Sequence, residues 1–175
     1  MAATHNNGHP ANQSTSAPFV ELHQSLASRA SAISSFVDQL MKFIRHLMRK
    51  VGMSKETEQE LEIAMHEALA NAVIHGNHEN PEKQVHVACR CSMDGELLIS
   101  VRDEGEGFDS RAVPDPTDVG RLLLPNGRGL RLMRALMDEV SFEEKGTVVR
   151  MRKQMKTRSS RRLGARNGAA DPSSR

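Results

Sequence analysis

The 175-residue chain has no tryptophan, no tyrosine and only five phenylalanines. A module that reads nucleic acid by stacking bases needs exposed rings, so that class is disfavoured. The core must come from Leu, Ile, Val, Met and Ala instead. Cysteine is nearly absent too. Cys89 and Cys91 share one side of a strand by their C-x-C spacing. They are too sparse for a disulfide scaffold, or for a zinc site without further ligands, and they read as small buried hydrophobes. No apolar run approaches the roughly 20 residues of a membrane helix. The opening "MAATHNNGHPANQSTSAP" carries no apolar signal region. A cytoplasmic location without membrane contact is the expectation. The net charge of +2 gives no chain-wide hold on nucleic acid, which makes that partner unlikely in the sequence reading. The basic excess is local and sits at the C-terminus.

What is present suits one ordinary domain. Apolar residues are 38% of the chain and charged residues 26%, enough for a folded core. Residues 1–17, rich in Asn, Ser, Thr and Pro, are expected to be a disordered tail. "FVELHQ" is a short strand. From Ser25 to Lys50 apolar residues step by three and four (Leu26, Ala30, Ile33, Val37, Leu40, Ile44, Leu47), the pattern of an amphipathic helix, closed by Gly52. Ser54 with Thr57 and Glu58 opens a second helix that runs to His75, with Gly76 as its stop. Two alternating segments follow, Val85 to Cys91 and Leu97 to Val101, joined by the hairpin signal Asp94-Gly95. After a long Gly-, Pro- and Asp-rich loop comes the helical "GLRLMRALMDEV". "VSFEEKGTVVRMRK" then reads as a hairpin turning at Lys145-Gly146. Residues 154–175 are expected to be a basic disordered tail, a solubilising segment or a contact for nucleic acid or an acidic partner. Helices and antiparallel strands in blocks predict an α+β fold: a two-layer sandwich over residues 18–153, its sheet mixed or mostly antiparallel, with helices on one face.

Several constellations could carry chemistry. On the second helix Glu67, Asn71 and His75 lie at i, i+4 and i+8, on one stripe. This is either a wet helix face or the wall of a site. An amide oxygen such as that of Asn71 suits a hard cation, and Glu67 could take a proton. In "VRDEGEGFD", Asp103 ends a strand and precedes Gly105 and Gly107. A carboxylate there can accept from an exocyclic amine, and glycines let a flat ligand approach the backbone. Gly127 and Gly129 stand directly before a helix, where free N–H groups and the helix dipole attract anions. Arg128 between them is a phosphate contact or a solvent-facing charge. Gly146-Thr147 marks the last hairpin.

Taken together, E-x-x-x-N on a helix, D-x-G-x-G after a strand, a long loop, G-x-G-L opening a helix and G-T in a hairpin resemble the N, G1 and G2 boxes of the GHKL superfamily of ATPases and kinases. The resemblance spans Leu22 to Lys153. Within it, "EIAMHEALANAVIHGN" and "GRGLRLMRALMDEVSFEEKGTVVRMRK" look like the bacterial anti-sigma-factor serine/threonine kinases. His46 lies on a single helix without an H-E or H-D context, unlike a sensor kinase's phosphoacceptor. No G-x-x-x-x-G-K-[ST], H-R-D or D-F-G motif occurs, so ATP use would be neither of the P-loop nor of the eukaryotic-kinase type.

The resemblance implies a set of roles. ATP and Mg²⁺ would be the cofactors, with Asn71 the metal ligand and Glu67 the base that activates a hydroxyl acceptor. Asp103 would bind the adenine amino group in a pocket shaped by Gly105 and Gly107, supported by Thr147. Gly127, Arg128, Gly129 and Leu130 would hold the phosphates, and residues 108–126 would be a lid. His75 is a phosphate neighbour or a helix cap. The implied partners are a sigma factor and a STAS-type anti-anti-sigma protein. The implied assembly is a homodimer built around the N-terminal helix and the Arg29 region. An ATP-binding module that sequesters a partner without phosphotransfer is the alternative.

Overall fold

The computed structural model describes residues 19–49, 51–107 and 128–155. Strand β1, Phe19–Ala27, leads through a short 3-10 turn, Ala30–Ala32, into helix α1, Ile33–Met48. Helix α2, Lys55–Ala70, runs on without a break into a wide π-helical turn, Asn71–Gly76. Strands β2, Gln84–Ser92, and β3, Glu96–Arg102, precede helix α3, Arg128–Leu136; strands β4, Glu139–Glu143, and β5, Val148–Gln154, complete the described chain. The strands form one five-stranded sheet in the order β1-β2-β3-β5-β4. Every pairing in it is antiparallel, so the α+β expectation holds with an antiparallel rather than a mixed sheet.

Strand alternation sorts the sheet into two faces. Val87, Cys89 and Cys91 of β2 pair across with Val101, Ile99 and Leu97 of β3, Val85 pairs with Leu26 of β1, and all are buried. The opposite face is wet and charged. There Arg150 pairs with Glu143, and Arg152 with Glu139. The helices cover the first face through Val37, Leu40 and Ile44 of α1, Leu61, Met65 and Leu69 of α2, and Met133 of α3. Methionine replaces the missing large aromatics: Met41, Met48, Met65, Met133, Met137, Met151 and Met155 are all buried. Its flexible thioether fills irregular space between a sheet and helices. Cys89 and Cys91 are free, buried thiols, as expected. Their mutual hydrogen bond and burial hold the Cys89 thiol protonated.

The element boundaries differ from the sequence pattern in four places. Leu26 fits a helical stripe, yet it lies in β1 opposite Val85; α1 starts only at Ile33, because pairing with β2 claims the preceding residues. The third helix ends at Leu136 rather than running to Val140. Asp138 N–H already donates to Arg152 at 3.0 Å and Glu139 enters the ladder. Gln154 and Met155, expected to open the tail, instead close the sheet: Met155 is buried and its N–H donates to Gly95 at 2.8 Å. Gly76 is not a left-handed stop; positive φ values fall instead on His78 and Glu79. By contrast Gly52, at φ 88°, ends α1 with its N–H on Met48 O, as read. Ser54 caps α2, accepting from the Thr57 N–H at 3.1 Å, also as read.

Candidate functional site

The C-terminal end of α2 meets the loop after β3 and the start of α3. A cleft of about 380 Å³ opens between them, with Asn71, His75, Gly76, Asp103, Gly107 and Leu130 among its walls. The wide turn begins at Asn71 itself. In it the Asn77 N–H reaches back to Ala72 O at 2.8 Å, one residue further than an α-helix allows. Such bulges gather at functional sites because they re-aim side chains.

Glycines decide how closely these elements approach. A methyl placed on Gly76 would lie 2.6 Å and 2.7 Å from the two carboxylate oxygens of Asp103. One placed on Gly105 would lie 2.7 Å from Asp103 Oδ1 and run into the Gly76 carbonyl. Gly107, at φ 77°, passes so near Lys145 O that a side chain has no room. Asp103 is thus caged by backbone. Its own N–H donates to Thr147 O at 3.0 Å, and its Oδ1 accepts from the Gly105 N–H at 2.8 Å. Burial raises the Asp103 pKa, against the opposing pull of that N–H and of Lys83. A half-buried carboxyl with a shifted pKa at the wall of a cleft is a candidate for contact with a ligand.

The third wall is α3. A methyl on Gly129 would lie 2.5 Å from Glu67 Oε2 and 3.7 Å from Asn71 Oδ1. The start of α3 therefore rests on the two residues that the i, i+4 spacing paired. The start of a helix, a carboxylate and an amide oxygen meet at one place. The missing side chain of Gly129 lets the backbone of α3 pack directly on the Glu67 carboxylate, and the Asn71 oxygen beside it is the donor type that a hard cation accepts.

Most of the residues singled out from sequence converge. Asn71, His75, Asp103, Gly107 and Leu130 line the cleft; Gly105 backs Asp103, and Glu67 and Gly129 touch beside Asn71. Arg128 is exposed at the first position of α3. Gly127 and the expected lid, residues 108–126, lie outside the described residues. Thr147 meets Asp103 through its main chain; its hydroxyl donates to Glu144 O at 2.9 Å. Sequence reasoning missed three contributors. Gly76 read as a helix stop, and Asn77 and His78 had no assigned task. Asn77 is 1% exposed, and its amide spans two backbone groups. Polar burial of this kind leaves no periodic signal.

The sheet order, the wide turn and the glycine-lined cleft define an α+β sandwich with a site at the end of α2. The chain belongs to the family described as the histidine kinase-like ATPase domain, whose model matches residues 31–153. Curated relatives agree. The chain is 31% identical to the Anti-sigma F factor of Oceanobacillus iheyensis, over 78% of this chain and 89% of that protein. It is 38% identical to the Anti-sigma F factor of Heyndrickxia coagulans, over 51% of this chain; the match spans 64% of that relative's length. Against the Serine-protein kinase RsbW of Staphylococcus epidermidis it is 30% identical, over 79% of this chain and 91% of that protein. Among solved structures, the RsbU and RsbW domains of a Mycobacterium tuberculosis protein match at TM-score 0.49 and 19% identity, over 79% of this chain and 32% of that one. Among the described residues no helix is long and apolar enough to cross a membrane.

Proposed function

We propose that the chain is an ATP-dependent serine/threonine protein kinase that acts as an anti-sigma factor in a partner-switching pathway and phosphorylates a STAS-type anti-anti-sigma protein. One observation carries the reading: Glu67 and Asn71 meet Gly129 at the start of α3, within the same site as the caged carboxylate of Asp103. Relatives named anti-sigma factor and serine-protein kinase support it.

In this reading Asp103 accepts from the adenine amino group, and Gly105 and Gly107 let the ring lie against backbone. Thr147 supports that wall through its carbonyl on Asp103 N–H. Gly127, Arg128, Gly129 and Leu130 hold the phosphates at the start of α3, with His75 beside them. Asn71 would hold Mg²⁺, which would neutralise charge on the phosphates. Glu67 takes the proton of the acceptor hydroxyl as its oxygen bonds to the γ-phosphorus and the bond to ADP breaks. The protein works in the cytoplasm as a homodimer, away from membrane and nucleic acid.

The test is incubation with labelled ATP, Mg²⁺ and a co-encoded STAS protein. Wild type should label the partner, while Glu67→Ala should bind ATP and leave the partner unlabelled. Tight ATP binding without labelling by wild type would sink the kinase reading. It would favour the second one, a module that binds ATP and sequesters its partner, which the relatives named only as anti-sigma factors keep in view.

A further inference from the structure

We propose that Asn77 is a positioning residue for Asp103: its buried amide sets the separation between the end of the α2 helical run and the β3 loop, and thereby the reading of the nucleobase. The inference rests on the proposed role of Asp103 in accepting from adenine.

The geometry is specific. Asn77 follows Gly76, the residue packed against the Asp103 carboxylate, and Glu104 follows Asp103. Asn77 Oδ1 accepts from the Glu104 N–H at 2.8 Å. The close contact Gly76–Asp103 is thus bracketed by a hydrogen bond one residue further along both segments. On its other side Asp103 is tied to the residue before β5 through Thr147 O. Asn77 is the corresponding tie toward α2. Its Nδ2 donates to Gln84 O at 2.9 Å, which anchors the amide to the first residue of β2. The two jobs need an acceptor and a donor on one short, rigid group. An amide supplies them on two separate atoms, whereas an ionised carboxylate lacks the donor and an alkyl chain lacks both. At 1% exposure, water does not replace the lost bond cheaply.

Adenine recognition depends on where Asp103 sits, because a hydrogen bond weakens steeply with small changes in distance and angle. Loss of the Asn77 tie lets the loop carrying Asp103 move off Gly76. The expected signature is loss of base discrimination, beyond any loss of stability.

The experiment compares binding of ATP with that of purine ribonucleoside triphosphate, which lacks the 6-amino group, by calorimetry on the full chain. Wild type should prefer ATP by at least about tenfold. Asp103→Ala should erase that preference. Asn77→Ala should bring it to within about threefold of unity, leaving affinity for the purine analogue near wild type. All comparisons are made at a temperature where circular dichroism shows each variant folded. A lower melting temperature alone decides nothing, since a purely structural residue would show it too. If Asn77→Ala does not fold, Asn77→Ser, a gentler truncation, is read against the same criteria. An Asn77 variant that keeps the wild-type preference while Asp103→Ala loses it overturns the assignment. A wild type that fails to prefer ATP overturns the role of Asp103 itself, and the assignment with it.

Discussion

The two ends of α2 are built to opposite plans. At its N-terminal end polar groups are satisfied inside the protein. Ser54 caps the helix, and Lys153, 14% exposed, has Nζ 2.8 Å from Glu60 and 3.9 Å from Asp138. The same ammonium donates to Leu136 O, so one lysine joins α2, α3 and β5. At the other end carboxylates face glycine. Asp103 is wedged against Gly76 and Gly105, and Glu67 against Gly129. Burial there raises the Asp103 pKa. The first end spends its polar groups on holding the layers together. The second holds them out for something else, at some cost to the empty fold. Sites that break local rules in this way are where function is expected.

The largest predicted effect comes from closing the gap at the second end. Gly105→Ala pushes a methyl into the Gly76 carbonyl, a backbone atom that cannot swing aside. Overpacking of this kind costs about 1–3 kcal/mol. ATP affinity should fall by at least about a hundredfold, since an ångström of misplacement is enough to ruin a positioned site. Urea unfolding and calorimetry read the two effects. Near-wild-type ATP binding would mean that the cage around Asp103 is irrelevant to the ligand.

Lys153→Ala is the counterpart at the first end. It takes from Glu60 its ion pair, while Asp138 still accepts from the Gln154 N–H, and should cost about 2 kcal/mol, less than a fully buried pair because both acids keep some contact with water. ATP affinity should not move. The contrast between the two ends fails if this variant binds nucleotide poorly while folded.

Asp103→Asn tests the cost at the site end. A carboxyl whose folded pKa is raised binds more protons in the native state than in the unfolded one. Its ionisation therefore lowers stability as pH climbs through the window between the ordinary carboxylate value and the raised one. Asparagine carries no such penalty. The variant should melt higher than wild type at neutral pH and lose that advantage as pH drops below the ordinary carboxylate range. It should bind ATP worse at either pH. A variant that melts lower at neutral pH would show that the charge of Asp103 supports the fold.

These two ends were not equally legible. Ser54 with Thr57 announces the start of α2, because capping chemistry is local. Glu67 and Asn71 could be paired from i, i+4 spacing alone, and their neighbour Gly129 followed from the motif order. What escaped was non-local. Gly76 looked like a helix terminator because a glycine after a helical run commonly ends it. Its true constraint, the Asp103 carboxylate, lies 27 residues further along the chain. Leu26 matched a helical stripe, but its pairing with Val85 decides for a strand. Asn77 looked like loop, and its burial depends on Gln84 and Glu104 arriving from two other segments. Periodicity records which face a residue uses; it does not record which backbone arrives opposite.

Thr147 is the smallest and most discriminating case, because it touches Asp103 without sharing its task. The main chain does the touching: Thr147 O accepts from Asp103 N–H at 3.0 Å, and any residue supplies that carbonyl. The hydroxyl donates to Glu144 O within a turn where Glu144 and Lys145 both take positive φ. Thr147→Val should therefore relax the turn and cost about 0.5–1 kcal/mol. Affinity for ATP should stay within about threefold of wild type, as the backbone tie survives. Thr147→Ser, which keeps the hydroxyl, should recover the stability. If Thr147→Val instead weakens ATP tenfold without destabilising the fold, the hydroxyl itself meets the ligand, and the turn belongs with the site rather than with the scaffold behind it.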